Sequence, residues 1–334
     1  MSLDIKLNAL EPRRQTYGNI ARRYGADRPA SRYDEAVLDV QADVNFHYKP
    51  LWAPEFDIFD VRRTAIQMED WYALRDPRQY YYATYNINRA DLSAAADKAF
   101  DVVAERKLLD RVDDAWKQTV QHYLIPLRHY EWGANLASFQ IADEGYGTTI
   151  TSAAAFCAAD RLGMAQIIGR IGLELDGHQG ASLDAGKDAW MNDPTFQPLR
   201  KAIEDVLVRK DWFEVFVAVH FCLDGIVHPL VYDRFDNVGY GKGGAAFTML
   251  TEFMVSWFKD ESRWVDAVLK TAAAESPDNA ATLGTWAATW IPRAAEAAAP
   301  IAVSVLGDKD GSEAISELTQ NLRDRAESLG LALP

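Results

Sequence analysis

The chain has 334 residues, of which 49% are apolar and 25% charged; this excludes a disordered chain or a disulfide scaffold and leaves material for a large core. Lys and Arg number 35 against 49 Asp and Glu, giving a net charge of −14, so neither nucleic acid nor an anionic membrane is expected as the main partner. Cys157 and Cys222 fit no C-x-x-C spacing and read as buried, reduced thiols of a cytoplasmic protein.

In chain order, Met1-Ser2-Leu3-Asp4-Ile5-Lys6 lacks a basic segment followed by an apolar one, so no signal peptide is expected. No uncharged apolar run reaches the roughly 20 residues that span a bilayer. Residues 1–60 mix proline, arginine and aromatics without helical periodicity. They read as an extended N-terminal arm that packs on another surface, with Arg13, Arg14, Tyr17, Arg22, Arg23, Tyr48 and Trp52 as interface anchors. The alternative is an arm folded back on its own domain.

Residues 61–334 read as one helical domain. Apolar spacing near 3.6 predicts helices over 61–75, 88–106, 108–140, 146–176, 194–209, 211–235, 245–275, 279–305 and 312–329, with Asp91 and Ser312 as N-caps. No run of strands is convincing. Several helices exceed 20 residues, which points to an all-α, long-helix bundle.

Phosphate, calcium and hydrolase motifs fail on spacing. No Ser or Thr follows Lys242 in the stretch Gly239–Gly244, Asp308–Gly311 is too short for a calcium loop and reads as a turn, and no G-x-S-x-G occurs. The informative feature is polar residues on apolar helix faces. Phe247, Leu250, Met254, Trp257, Glu261, Trp264 and Val268 follow steps of 3 and 4, and Glu261 is the one charge on that stripe. A buried carboxylate needs a metal, a cation or a proton. A second stripe runs Phe213, Val217, His220, Asp224, Val227 and Val231; a third runs Phe156, Asp160, Met164, Ile167, Ile171 and Leu175. Inward carboxylates and histidines suit a carboxylate-bridged di-iron bundle, but none of the six histidines completes a Glu-x-x-His pair. His220, Asp224 and His228 stand at i, i+4, i+8, leaving open a mononuclear metal site against a hydrogen-bonded core.

Three strings then carry a resemblance over nearly the whole chain: Glu11-Pro12-Arg13-Arg14-Gln15-Thr16-Tyr17-Gly18, Asn45-Phe46-His47-Tyr48-Lys49-Pro50-Leu51-Trp52, and Asp70-Trp71-Tyr72-Ala73-Leu74-Arg75-Asp76-Pro77-Arg78-Gln79. The chain resembles the small, non-catalytic beta subunit of the hydroxylase of bacterial multicomponent phenol hydroxylases, soluble di-iron monooxygenases. The resemblance implies a ferritin-like bundle and no cofactor in this chain. It implies a di-iron centre in the alpha subunit, an assembly of two each of alpha, beta and gamma, a regulatory protein, and a reductase with FAD and a [2Fe–2S] cluster. The reaction implied is hydroxylation of phenol or a methylphenol to a catechol with dioxygen and NADH. The rivals are a beta subunit of a toluene or alkylbenzene hydroxylase and a free-standing helical interaction protein.

By the same resemblance, Asp260-Glu261-Ser262-Arg263-Trp264 is similar to alpha's second iron-binding motif, with Trp264 in the place of its histidine. The stretch Ala165–Leu173 is similar to the region of the first, with Arg170 and Leu173 in the ligand places. The other two positions fall near Gln140 and within Cys222–His228. Arg170 is therefore expected to pair with Glu261 across the core in place of the lost iron charge, with a surface pair to Glu174 as the alternative.

Overall fold

The computed structural model describes residues 17–44 and 46–334; Arg13 and Arg14 lie outside them. The described residues hold helices and turns and no strand, so the fold is the all-α, long-helix bundle expected.

Two short helices open the chain, α1 (Gly18–Tyr24) and α2 (Arg32–Val37). Ser31 caps α2 by accepting from the Asp34 backbone N–H. Residues 61–75 are not the expected helix but an irregular stretch with single turns at Val61–Arg63 and Trp71–Ala73, each entered through an Asp side chain, Asp60 or Asp70. Those aspartates satisfy local N–H groups and compete with a continuous helix.

The bundle follows: α3 (Tyr82–Glu105), α4 (Asp114–Leu124), α5 (Leu127–Glu144), α6 (Thr148–Leu175), α7 (Ala181–Asn192) and α8 (Gln197–Leu207). Then come α9 (Trp212–Tyr240), α10 (Ala245–Glu275), α11 (Pro277–Leu306) and α12 (Asp308–Ser328). Pro126 divides the helix expected over 108–140. Helix α7 was not expected from the sequence. Asp91 and Ser312 are interior to α3 and α12 rather than caps, and Asp308–Gly311, expected as a turn between helices, is the first turn of α12.

Helices α5, α6, α9 and α10 form the centre, with α5 and α6 packed along their lengths. Helix α9 is apolar and long enough to cross a membrane, but 89% of its apolar window is buried inside this bundle. It begins at Asp211, whose carboxylate accepts from the Phe213 and Glu214 N–H groups and from Ala65 N–H at 2.7 Å. Within α9 the segments Val217–Leu223 and Leu230–Arg234 widen to π-helical hydrogen bonding.

Candidate functional site: a closed ion cluster on the bundle axis

The three apolar stripes meet on the bundle axis, and their polar members are buried there. Arg161 of α6 is fully buried. Its Nη1 donates to Glu131 Oε2 of α5 at 2.9 Å, its Nη2 contacts Asp224 Oδ2 of α9, and its guanidinium lies 4.4 Å from the Trp257 ring centroid. Tyr130 OH donates to the other Asp224 oxygen at 2.7 Å. Asp160 accepts two bonds from Arg89 at 2.8 Å, one from Trp257 Nε1 at 2.9 Å and one from Tyr85 OH at 2.9 Å. Glu261 accepts from Arg78 Nη1 at 2.6 Å, and Arg78 Nε donates to Asp76 Oδ1 at 2.9 Å.

Two histidines complete the cluster. His220 Nε2 stands 3.4 Å from Ser138 Oγ, which itself donates to Ala134 O at 2.8 Å. Ser138 therefore accepts from Nε2–H, and Nδ1 is the bare nitrogen. Nδ1 faces Glu261 Oε1 at 3.6 Å, Asp224 Oδ2 at 3.8 Å and Cys157 Sγ at 3.9 Å. His228 stacks on Phe258 with centroids 4.8 Å apart, and neither of its nitrogens has a hydrogen-bond partner.

The electrostatics follow from burial. Three guanidinium groups (Arg78, Arg89, Arg161) face five carboxyl groups (Asp76, Glu131, Asp160, Asp224, Glu261). Burial pushes Glu131 up to about 7 despite Arg161, and raises Glu261 despite Arg78. Burial would raise Asp224 too, but Arg161 holds it below the usual carboxylate range. Burial lowers His220 and His228 to about 3, so both are neutral at pH 7. Burial thus disfavours imidazolium in the cluster and favours a proton on Glu131 over one on either histidine.

Cys157 Sγ, His220 Nδ1 and Glu261 Oε1 lie within 4.8 Å of one another and could hold one cation. Two iron ions do not fit. Arg161 already occupies Glu131 and Asp224, Arg78 already holds Glu261, and an added cation beside a buried guanidinium is repelled. Nor does an opening reach the cluster from the two surface grooves of 620 and 460 Å³, whose linings include none of its residues.

The expected Arg170–Glu261 pair does not form, and neither does the Arg170–Glu174 alternative. Arg170 is partly exposed, donates to Asp97 at 2.6 Å and covers the Phe100 ring at 3.9 Å. Leu173 is half-buried on the outer side of α6. The inward residues of α6 beside Glu261 lie about three turns earlier, at Cys157, Asp160 and Arg161. Trp264 is fully buried and packs edge-on against His220 at 5.7 Å. The sequence reading missed Arg78, Arg89, Glu131 and Arg161. A detectable signal existed for Arg161: Asp160 and Arg161 are the sole charged residues between Thr148 and Gly169.

Among the anchors expected on the arm, Arg23 is tied to its own domain, donating to Asp39 at 2.5 Å and to Asp70 at 2.6 Å. Arg75 pairs with Asp34, and Ile20, Tyr33, Val37 and Leu38 form a small core against Tyr72 and Tyr81. Residues 17–44 are therefore folded back on their own domain. Arg22 and Tyr17 are exposed, and farther along the arm Tyr48 is 81% and Trp52 75% exposed.

Comparison with known proteins agrees with this architecture. The oxygenase component DmpL of phenol 2-monooxygenase from Pseudomonas sp. strain CF600 is 44% identical over 331 residues, 99% of this chain and 98% of that one. The beta subunit of the toluene-4-monooxygenase hydroxylase component from Ectopseudomonas mendocina is 26% identical over 70% of this chain and 73% of its own. A crystal structure of xenon-pressurized phenol hydroxylase from Pseudomonas sp. OX1 superposes with a TM-score of 0.91 at 42% identity, covering 98% of both chains. Residues 52–276 match the family model for methane, phenol and alkene hydroxylases, and the chain belongs to that hydroxylase family.

Proposed function

We propose that this chain is the non-catalytic beta subunit of a phenol hydroxylase. The observation that carries the reading is Arg161, buried between Glu131 and Asp224 where a catalytic bundle would need free metal ligands. Its work is structural: it supports a larger alpha subunit that holds the di-iron centre, within an assembly of two each of alpha, beta and gamma. A regulatory protein and a reductase carrying FAD and a [2Fe–2S] cluster act on the complex. With dioxygen and NADH, the complex converts phenol or a methylphenol to a catechol. Phenol is favoured over toluene because identity is 44% to the phenol 2-monooxygenase component and 26% to the toluene-4-monooxygenase subunit. The cytoplasm is the proposed location.

Residues 1–60 act as the arm in this proposal, with 17–44 bracing it on the helical domain and the exposed Tyr48 and Trp52 reaching the larger subunit. The test is to purify the chain with and without its neighbouring gene products and measure iron and subunit composition. The expected result is an iron-free chain that co-purifies with a larger, iron-bearing partner. Two irons per isolated chain would overturn the reading.

A further inference from the structure

Helix α5 is buried on nearly every side, and the strip it leaves to solvent is apolar: Trp132, Leu136 and Phe139, at i, i+4 and i+7. A helix face meant for water carries charges there. On α5 charges enter only toward the ends of that strip, at Arg128 and Asp143.

The outer strip of α6, its close neighbour, runs Ala155, Ala159, Leu162, Gln166, Gly169 and Leu173 in steps of 4 and 3, also without a charge. From Ala155 to Leu173 it rises 18 steps, about 27 Å at 1.5 Å per residue. The 460 Å³ groove between the two helices is lined by Trp132, Leu162, Gly169 and Leu173 and edged by Arg128 and Arg170. A Cβ built at Gly169 meets nothing within 4 Å, so open space lies above the groove floor.

We infer that the outer face of the α5–α6 pair is the docking surface for a long helix of the larger hydroxylase subunit, one bearing a carboxylate opposite Arg128. This rests on the beta-subunit reading above. The strip's length calls for a long helix rather than a short peptide, and its small residues allow helix axes to approach closely. Charge selects the class of partner. In a chain of net charge −14, exposed carboxylates are absent from α6 between Thr148 and Gly169, and the groove edge carries Arg128 beside an Arg170 already paired with Asp97. A second copy would set like charges against each other across a two-fold axis, whereas an acidic helix complements them. The surface is also continuous with the arm. The 620 Å³ groove that holds Trp52 and Phe56 is lined by Gln140, next to Phe139.

The experiment is co-expression of the chain with a tagged larger subunit. Trp132→Asp/Leu136→Asp should lower the co-purified chain at least tenfold, while Tyr240→Asp, at an exposed apolar residue elsewhere, should not. Because Gly169 opens on free space, Gly169→Arg gives a second variant that folds, and its helix content and thermal midpoint verify this. Loss of the partner with both face variants supports the surface. Full recovery with folded face variants overturns it and leaves the beta-subunit reading standing. If the wild-type chain fails to capture the larger subunit, both fall. If the face variants abolish only self-association, the surface belongs to a second copy and the inference fails.

Discussion

Arg161 and Asp224, 63 residues apart in sequence, form a fully buried ion pair on the bundle axis, and Glu131 holds the other arm of the same guanidinium. Breaking such a pair from one side leaves uncompensated charge, which costs about 3–5 kcal/mol. Arg161→Met should therefore destabilise the free chain by that amount in urea denaturation. The triple variant Glu131→Leu/Arg161→Met/Asp224→Leu, which removes charge from both sides, should recover most of the loss. A triple variant weaker than the single one would show that the ions are needed for more than neutrality.

The two axial histidines set the acid response. Their folded pKa lies near 3, below the ordinary 6.5, so between these values the unfolded chain binds more protons. Stability should fall with decreasing pH from about 6.5 toward 3, by up to about 1.4 kcal/mol per pH unit per histidine. Glu131, raised to about 7, acts the other way: its contribution is greatest below the unfolded carboxylate value and is lost as pH rises to 7. Glu261, also raised by burial, acts in the same sense as Glu131, so the histidine contribution is read from its own variant. His228→Phe, which keeps the stack on Phe258, should flatten the stability profile between pH 7 and 5, read as urea midpoints; an unchanged slope would refute the assignment.

The folded-back arm reaches the ion cluster through a short relay. Tyr33 OH accepts from the Asp76 N–H at 3.0 Å, Asp76 accepts from Arg78, and Arg78 donates to Glu261. Tyr33→Phe leaves that buried N–H unpaired and should cost about 1–3 kcal/mol. Trp52→Ala, at an exposed site, should change the free chain's stability by less than about 0.5 kcal/mol while lowering recovery of the assembled hydroxylase. Equal effects on both measurements would argue against separate roles for the two halves of the arm.

Glycine sites separate packing from propensity. A Cβ at Gly284 would stand 1.9 Å from Ala332 O, a backbone atom that cannot swing away. Gly284→Ala should cost about 1–3 kcal/mol and free the C-terminal segment that hydrogen-bonds to Ala280. Gly163, in the middle of α6, has nothing within 4 Å of the same atom. Gly163→Ala should stabilise the isolated chain by up to about 1 kcal/mol through helix propensity. Thermal midpoints of the two variants should move in opposite directions.

The long helices were legible because burial imposes the 3-and-4 spacing: every residue of the Phe247–Val268 stripe and of the Phe213–Val231 stripe is buried as read. The partners of Glu261 and Asp160 were not. Arg78 enters from an aperiodic segment, where spacing carries no directional information. Arg89 sits near the start of α3, which begins six residues before the expected helix and whose sequence is weakly amphipathic. Arg161 lies off the Phe156–Leu175 stripe because it adjoins Asp160, and adjacent helical residues diverge by about 100°. Both can point inward here because α6 is enclosed on several sides at that level. The register assigned to Arg170 and Leu173 failed for a related reason: an apolar helix with few charges offers many equivalent alignments, and only packing against α5 and α10 chooses among them.

The widened turns of α9 act as a phase corrector. In an undistorted α-helix, residues four apart precess by about 40°, so His220, Asp224 and His228 would spread over roughly 80° of the circumference. π-type turns hold more residues each and precess in the opposite sense. Alternating the two, over Val217–Leu223 and then Asp224–Pro229, keeps the three side chains in one column facing the bundle axis. The helix thereby spends extra chain length on angular alignment. Removing a single residue from Val217–Leu223 would rotate everything beyond it and take Asp224 out of the place on the axis where Arg161 needs an anion.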